Sequence, residues 1–174
     1  MKIARGSHRA AKHSGRMSWQ DPRIADGQGD IESARRLFLE YQEFLGFSLE
    51  FQGFAVELQE IASMYGPPTG RLWLAEEGGA AVGCVAVRSL ESGVAELKRL
   101  YVTGAARRAG HGRRLMAAAV AGARDLGYQR IWLDTIPRLV AARALYNEFG
   151  FHEIAPYNDN PQPGVTFMER VLVD

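Results

Sequence analysis

The chain has 174 residues, of which 47% are hydrophobic and 24% charged, so one globular domain with a substantial core is expected. A net charge of +1 gives no global pull toward nucleic acid, and a single cysteine, Cys84, excludes an intrachain disulfide and a C-x-x-C metal motif. No apolar run approaches the ~20 residues of a membrane-spanning helix, so a cytoplasmic protein without a membrane partner is expected.

Residues 1–16 contain Lys2, Arg5, Arg9, Lys12 and Arg16 and no acid, which leaves the rest of the chain with a net charge of −4. No apolar segment follows them, so they do not read as a secretory signal. They also lack an aromatic side chain for stacking on bases, so nucleic acid is not an expected partner. They read as a basic tail, and 17–174 reads as the folded domain.

A weak strand signal covers 18–25, broken by Pro22. Asp30 then caps a helix whose apolar positions Ile31, Ala34, Phe38, Tyr41 and Leu45 recur at helical spacing, with Gly46 as its stop. Phe51, Phe54, Leu58 and Ile61 predict a second helix, ending before Gly66. Three strands follow, at 71–76, 81–89 and 95–102, joined by the turn signals Glu77-Gly78-Gly79 and Glu91-Ser92-Gly93. Such short turns predict an antiparallel meander. Cys84 sits in the apolar middle strand and reads as a small buried hydrophobe.

Next come a basic loop and an alanine-rich helix ending near Leu126, with Gly127 as its stop. A strand at 130–134 follows, then a helix from near Pro137 to Phe149 that Gly150 closes. A short strand at 151–154, a turn-rich loop at 157–164 and a last strand at 165–173 complete the chain. The expected fold class is mixed α/β, with an antiparallel half followed by a β-α-β half.

The loop before the alanine-rich helix carries the most specific signal. Gly110 and Gly112 allow a tight turn, the unpaired N–H groups of the helix start favour an anion, and Arg107, Arg108, Arg113 and Arg114 surround them. A nucleoside-triphosphate P-loop is excluded, because no lysine followed by Ser or Thr is present. A dinucleotide fingerprint is disfavoured, because its third glycine is Leu115 and the preceding strands read as a meander.

The segment Arg107-Arg108-Ala109-Gly110-His111-Gly112 matches R/Q-x-x-G-x-G/A. Leu97 to Val102 precede it as L-K-R-L-Y-V, and Ala142 to Phe151 follow as A-R-A-L-Y-N-E-F-G-F. Together these resemble the GNAT superfamily of N-acetyltransferases, over most of the chain and in the same element order. The resemblance implies a central mixed sheet of about six or seven strands with about four helices on both faces. It implies acetyl-CoA as cosubstrate, no metal, and transfer of acetyl to a primary amine by direct attack. By the same resemblance, Leu100, Tyr101 and Val102 present backbone groups to the acetyl and pantetheine arm, on a strand that bulges and splays from its neighbour. Arg107, Arg108, Gly110, His111, Gly112 and Arg113 bind the pyrophosphate, His111 by its backbone with its side chain toward solvent.

Tyr146 falls on the family's general-acid tyrosine, and Glu96 on a position where a carboxylate base occurs. Glu96 reads equally well as a strand residue salt-bridged to Lys98 or Arg99. Asp134 is a further base candidate. Leu139 stands where the family often has a cofactor-binding asparagine, so it is left out of the site. The acceptor is expected to be a small molecule, bounded by residues such as Tyr41, Phe47, Phe51, Trp73 and Tyr157. A homodimer is compatible with this reading. The competing function is a non-catalytic acyl-CoA-binding regulatory module on the same fold.

Overall fold

Side chains of an extended strand alternate between two faces, and the strands of this chain use the alternation to serve two cores. Strands β2 (Arg71–Glu77) and β3 (Ala80–Glu91) send Leu72, Leu74, Cys84 and Ala86 to one side and Trp73, Ala75, Val85 and Val87 to the other. The computed structural model describes residues 23–173. The basic tail and the first part of the predicted opening strand lie outside these residues.

The remaining strands are β1 (Arg23–Asp26), β4 (Val94–Val102), β5 (Arg130–Thr135), β6 (His152–Ile154) and β7 (Thr166–Val171). They form one seven-stranded sheet in the order β1-β2-β3-β4-β5-β7-β6. The β1–β4 meander is antiparallel, and among the described residues β4 and β5 form the one parallel pair. The β2–β3 turn uses Gly78 and Gly79, both with left-handed φ of 60° and 82°, where a Cβ would be strained.

One face of the sheet is covered by α1 (Ile31–Leu45), α2 (Phe54–Gln59) and α3 (Ile61–Met64). The other is covered by α4 (His111–Asp125), with α5 (Val140–Glu148) beside it. Asp30 caps α1 by accepting from the Ser33 N–H at 3.1 Å, and Gly46 closes that helix at φ 76°, as its sequence predicts. The predicted second helix is three pieces: a 3-10 turn (Glu50–Gln52), α2 and α3. Gly53 at φ 72° and Glu60 in a non-helical conformation interrupt it.

Helix α5 starts at Val140 rather than near Pro137, because the backbone turns once more before it, from the Ile136 carbonyl to the Leu139 N–H. The five α-helices exceed the expected four by the division of the second. Among the described residues no helix is long and apolar enough to cross a membrane.

Candidate active site

Two irregularities in β4 create the site. The first is a bulge. Tyr101 pairs with Cys84 and Lys98 with Ala86, so Arg99 and Leu100 together stand opposite Val85. Arg99 takes a left-handed φ of 59°, a strained conformation for a residue with a side chain. The bulge shifts the alternation by one, so Glu96, Lys98, Arg99 and Tyr101 all point to the α1–α3 side, while Leu97, Leu100 and Val102 point to the α4 side.

The second irregularity is a parting of strands. The parallel β4–β5 ladder consists of Val94↔Arg130, Ala95↔Ile131 and Glu96↔Trp132 and then stops. From 97 to 102 the edge of β4 facing β5 has no partner strand, while β5 continues against β7. Backbone groups left open at such an edge are ready to bind an extended ligand.

A narrow cleft occupies this opening, with a volume of about 40 Å3. Leu97, Lys98, Arg99 and Leu100 form one wall, Asp134, Thr135 and Ile136 another, and Tyr41, Leu139 and Tyr146 close it. Leu139 therefore lines the cleft even without the amide of an asparagine. Tyr146 is buried on α5 against Phe151, and burial raises its hydroxyl well above the ordinary tyrosine range. Burial likewise pushes Tyr41 up to about 12. Both hydroxyls hold their protons at neutral pH and face the same space.

At the far end of β4, a 3-10 turn (Gly104–Ala106) leads to Gly110, the N-cap of α4, at φ 81°. No side chain caps this helix and no acid lies in its first turn, so its N–H groups are open to an anion. Arg108 (φ 68°) and Arg114 are exposed and, among the described residues, make no ion pair. The other arginines are engaged. The Arg107 guanidinium lies 4.4 Å from the Phe44 ring centroid, and its Nε donates to the Val102 carbonyl at 3.2 Å. Arg113 pairs with Glu148 of α5. Both must release these partners to meet a phosphate.

One expectation about this loop is corrected. The His111 side chain is buried, not solvent-directed; its Nε2 lies 2.9 Å from Glu77 Oε2 and its Nδ1 has no partner. The start of α4 lies on the sheet, so its first residue points back to the end of β2 rather than outward. At Gly112 an added Cβ would stand 3.1 Å from Leu145 Cδ1 and 4.0 Å from Val102 Cγ2. Gly112 thus lets α4 approach α5, and its missing side chain faces packing rather than the loop's anion site.

A second cleft, of about 330 Å3, adjoins the first and shares Phe51, Gln52, Lys98 and Asn160 with it. Glu96 is on its wall, but closely held. Arg88 donates to Glu96 Oε2 from Nε at 2.9 Å and approaches it with Nη2 at 2.8 Å. Tyr157 donates to Glu96 Oε1 at 3.1 Å, and Lys98 Nζ is 3.7 Å from that oxygen. The salt-bridge alternative is therefore present, but Arg88 is its main partner. Arg99 instead forks onto Glu57, with its Nε 2.8 Å from Oε1, and Tyr65 donates to the same oxygen at 2.7 Å.

Asp134 accepts at Oδ2 from Asn158 and Asn160, at 3.3 and 3.0 Å. Tyr41, Phe47, Phe51 and Tyr157 line one cleft or the other. Trp73 does not; it packs in the α4-side core against Gly122. Phe54 is core, under the Arg99 guanidinium. Sequence reasoning missed Arg88, Gln52, Thr135 and Asn160, which carry no motif.

A sequence model of the acetyltransferase (GNAT) family matches residues 32–151. An uncharacterized N-acetyltransferase of Schizosaccharomyces pombe is 38% identical over 141 residues, which span 80% of this chain and 86% of that protein. The chain belongs to the GNAT family of acetyltransferases. The fold agrees. A Staphylococcus aureus GNAT acetyltransferase superposes with a TM-score of 0.72 at 22% identity, over 88% of this chain and all of that one. A Salmonella typhimurium acetyltransferase solved with acetyl-CoA gives a TM-score of 0.64 at 19% identity, over 90% and 96% of the two chains.

Proposed function

We propose that the protein is an acetyl-CoA-dependent N-acetyltransferase acting on a primary amine. The observation that carries this reading is the parting of β4 from β5 at Glu96 and Trp132, just upstream of the uncapped first turn of α4. The residues fit the cosubstrate. The open β4 edge, with Leu100, Tyr101 and Val102, suits an amide-bearing arm. The α4 N–H groups, with Gly110, His111 and Gly112 in the turn, suit a pyrophosphate. Arg108 is free to join them, and Arg107 and Arg113 can do so on leaving Val102 and Glu148.

When bound, acetyl-CoA supplies an activated acetyl thioester. The chain's own contribution is to position, to exclude water and to manage two protons. Tyr146 is buried, holds its proton and faces the cleft, so it is assigned to protonate the departing sulfur. The open β4 edge offers backbone N–H groups for a developing oxyanion. The amine must shed a proton before attack, and Glu96 on the acceptor wall is assigned to receive it. One observation favours a second assignment for that step. Asp134 lines the same cleft as Tyr146, and no hydrogen bond engages its Oδ1 among the described residues.

The test is thiol release from acetyl-CoA across a panel of amines, with acetyl-CoA binding measured in parallel. Turnover of at least one amine is expected. Saturable binding without turnover on any amine would favour the non-catalytic module instead.

A further inference from the structure

Lys98 is the cation that the two clefts share. It is 5% exposed and lines both clefts. Its ammonium has three donors. One reaches a neutral acceptor, Gln52 Oε1, at 3.1 Å. Glu96 Oε1 is 3.7 Å away, beyond hydrogen-bond reach, and that carboxylate is already matched by Arg88. The trio of buried Glu96 and Lys98 with half-buried Arg88 therefore carries a net charge of +1, and Lys98 has no close counter-ion of its own.

Burying a charge without a full partner is costly. Consistent with this, burial lowers the Lys98 pKa in spite of the Glu96 and Asp134 charges nearby. The other carboxylates on the cleft walls, Asp134 and Asp159, make no ion pair with Lys98 or Arg88 among the described residues. A cation with spare donors at the junction of two clefts is poised for an anionic group of a ligand. The coenzyme phosphates are an unsuitable source, because their place at the α4 start lies beyond the other end of the open β4 edge.

We propose that the acceptor is a primary amine that also carries a carboxylate, an amino acid or a close relative, and that Lys98 holds this carboxylate. The inference rests on the acetyltransferase reading only in taking the ligand to be the acceptor. Arg88 keeps Glu96 neutralised, so the Lys98 charge stays available. Gln52 holds the ammonium in place from the 3-10 turn before α2.

The test uses the full chain with coenzyme A present. Each common L-amino acid, β-alanine and γ-aminobutyrate is paired with its own carboxamide, which keeps the amine and removes the negative charge. Binding is read by calorimetry and, with acetyl-CoA, turnover by thiol release. At least one acid is expected to bind tenfold or more tightly than its amide. Lys98→Gln should bring that ratio toward one, and Lys98→Arg should largely retain it.

Equal or better binding of the amides throughout, or no binding of any acid, would overturn the carboxylate seat. So would a ratio that survives Lys98→Gln. The acid-to-amide comparison needs only the unsubstituted protein, so it stands if a variant fails to fold. Lys98-dependent binding of an acid without turnover on any amine would support the seat while sinking the acetyltransfer reading. Efficient turnover of amides and acids alike would do the reverse.

Discussion

The protein keeps its cations in two places under opposite physical rules. The loop before α4 and the first turn of that helix carry Arg107, Arg108, Arg113 and Arg114 at the surface, where solvent screens them. The sheet carries Lys98 and Arg99 inside, with Arg88 half-buried beside them, and each has a specified partner. Exposed cations suit recognition of a highly charged, common cosubstrate. Buried ones hold the strand's shape and, on the proposal above, select the acceptor. On the proposals above, phosphate binding belongs to one region, and architecture and selectivity to the other.

The sharpest way to break the comparison is to remove one cation from each place. Arg99→Ala leaves Glu57 buried without its charge partner, and a loss of about 3–5 kcal/mol is expected in urea unfolding. Arg108→Ala should leave stability within about 0.5 kcal/mol. Similar losses for the two would mean that Arg99 is not holding the bulge.

The same pair predicts a pH dependence. Burial alone would raise the Glu57 pKa, but the hydrogen bond and charge of Arg99 more than reverse it, so it falls below its ordinary 4.5 in the folded chain. A depressed folded pKa contributes stability that is fully present above the unfolded value. It is lost as pH falls through the folded value. Glu57→Gln should therefore flatten the acid limb of a stability-versus-pH curve, and an unchanged slope would remove Glu57 from that role.

Tyr146→Phe tests the chemistry where the buried strand meets the cleft. The expected result is a kcat lower by about 100-fold, within the usual range for a general acid. Acetyl-CoA affinity should stay within about twofold. An unchanged kcat would strip Tyr146 of the acid role.

Gly112→Val probes packing beneath the loop. Its Cβ would meet Leu145 and Val102, so a stability loss of about 1–3 kcal/mol is expected from overpacking. Weaker acetyl-CoA binding with no loss of stability would put the space beside Gly112 at the pyrophosphate rather than in the helix packing.

Local signals carried much of this fold. Asp30, Gly46, the two glycine turns and the loop glycines each fix a boundary through chemistry within a few residues. The buried polar side chains were harder, because their partners depend on irregularities that leave no local trace. A second register shift in the β3–β4 hairpin, between Ser89 and Glu91, puts Arg88 opposite Glu96. Counting back evenly from the Glu91↔Val94 pair would have set Arg88 against Leu97. The bulge at Arg99 likewise turns two adjacent cations, Lys98 and Arg99, to one face. Strict alternation would have separated them, and with them the partners Gln52 and Glu57. His111 was misjudged for a related reason: its burial depends on how α4 lies on the sheet, which no spacing within the loop encodes.

The smallest expected effect belongs to the exposed cations. Arg108 and Arg114 flank the α4 start without ion pairs among the described residues. Each contributes through screened attraction to the coenzyme's phosphates, so Arg108→Ala or Arg114→Ala should weaken acetyl-CoA binding by about two- to fivefold at low salt. Raising the ionic strength shortens the Debye length to about 3 Å near 1 M and should erase most of that difference. Arg107→Ala is the informative contrast, because Arg107 also stacks on Phe44 and engages the Val102 carbonyl. If it binds phosphate only after releasing that carbonyl, part of its effect should persist in high salt. A loss for Arg107→Ala that vanishes with salt as fully as that for Arg108→Ala would make its contact with Val102 incidental.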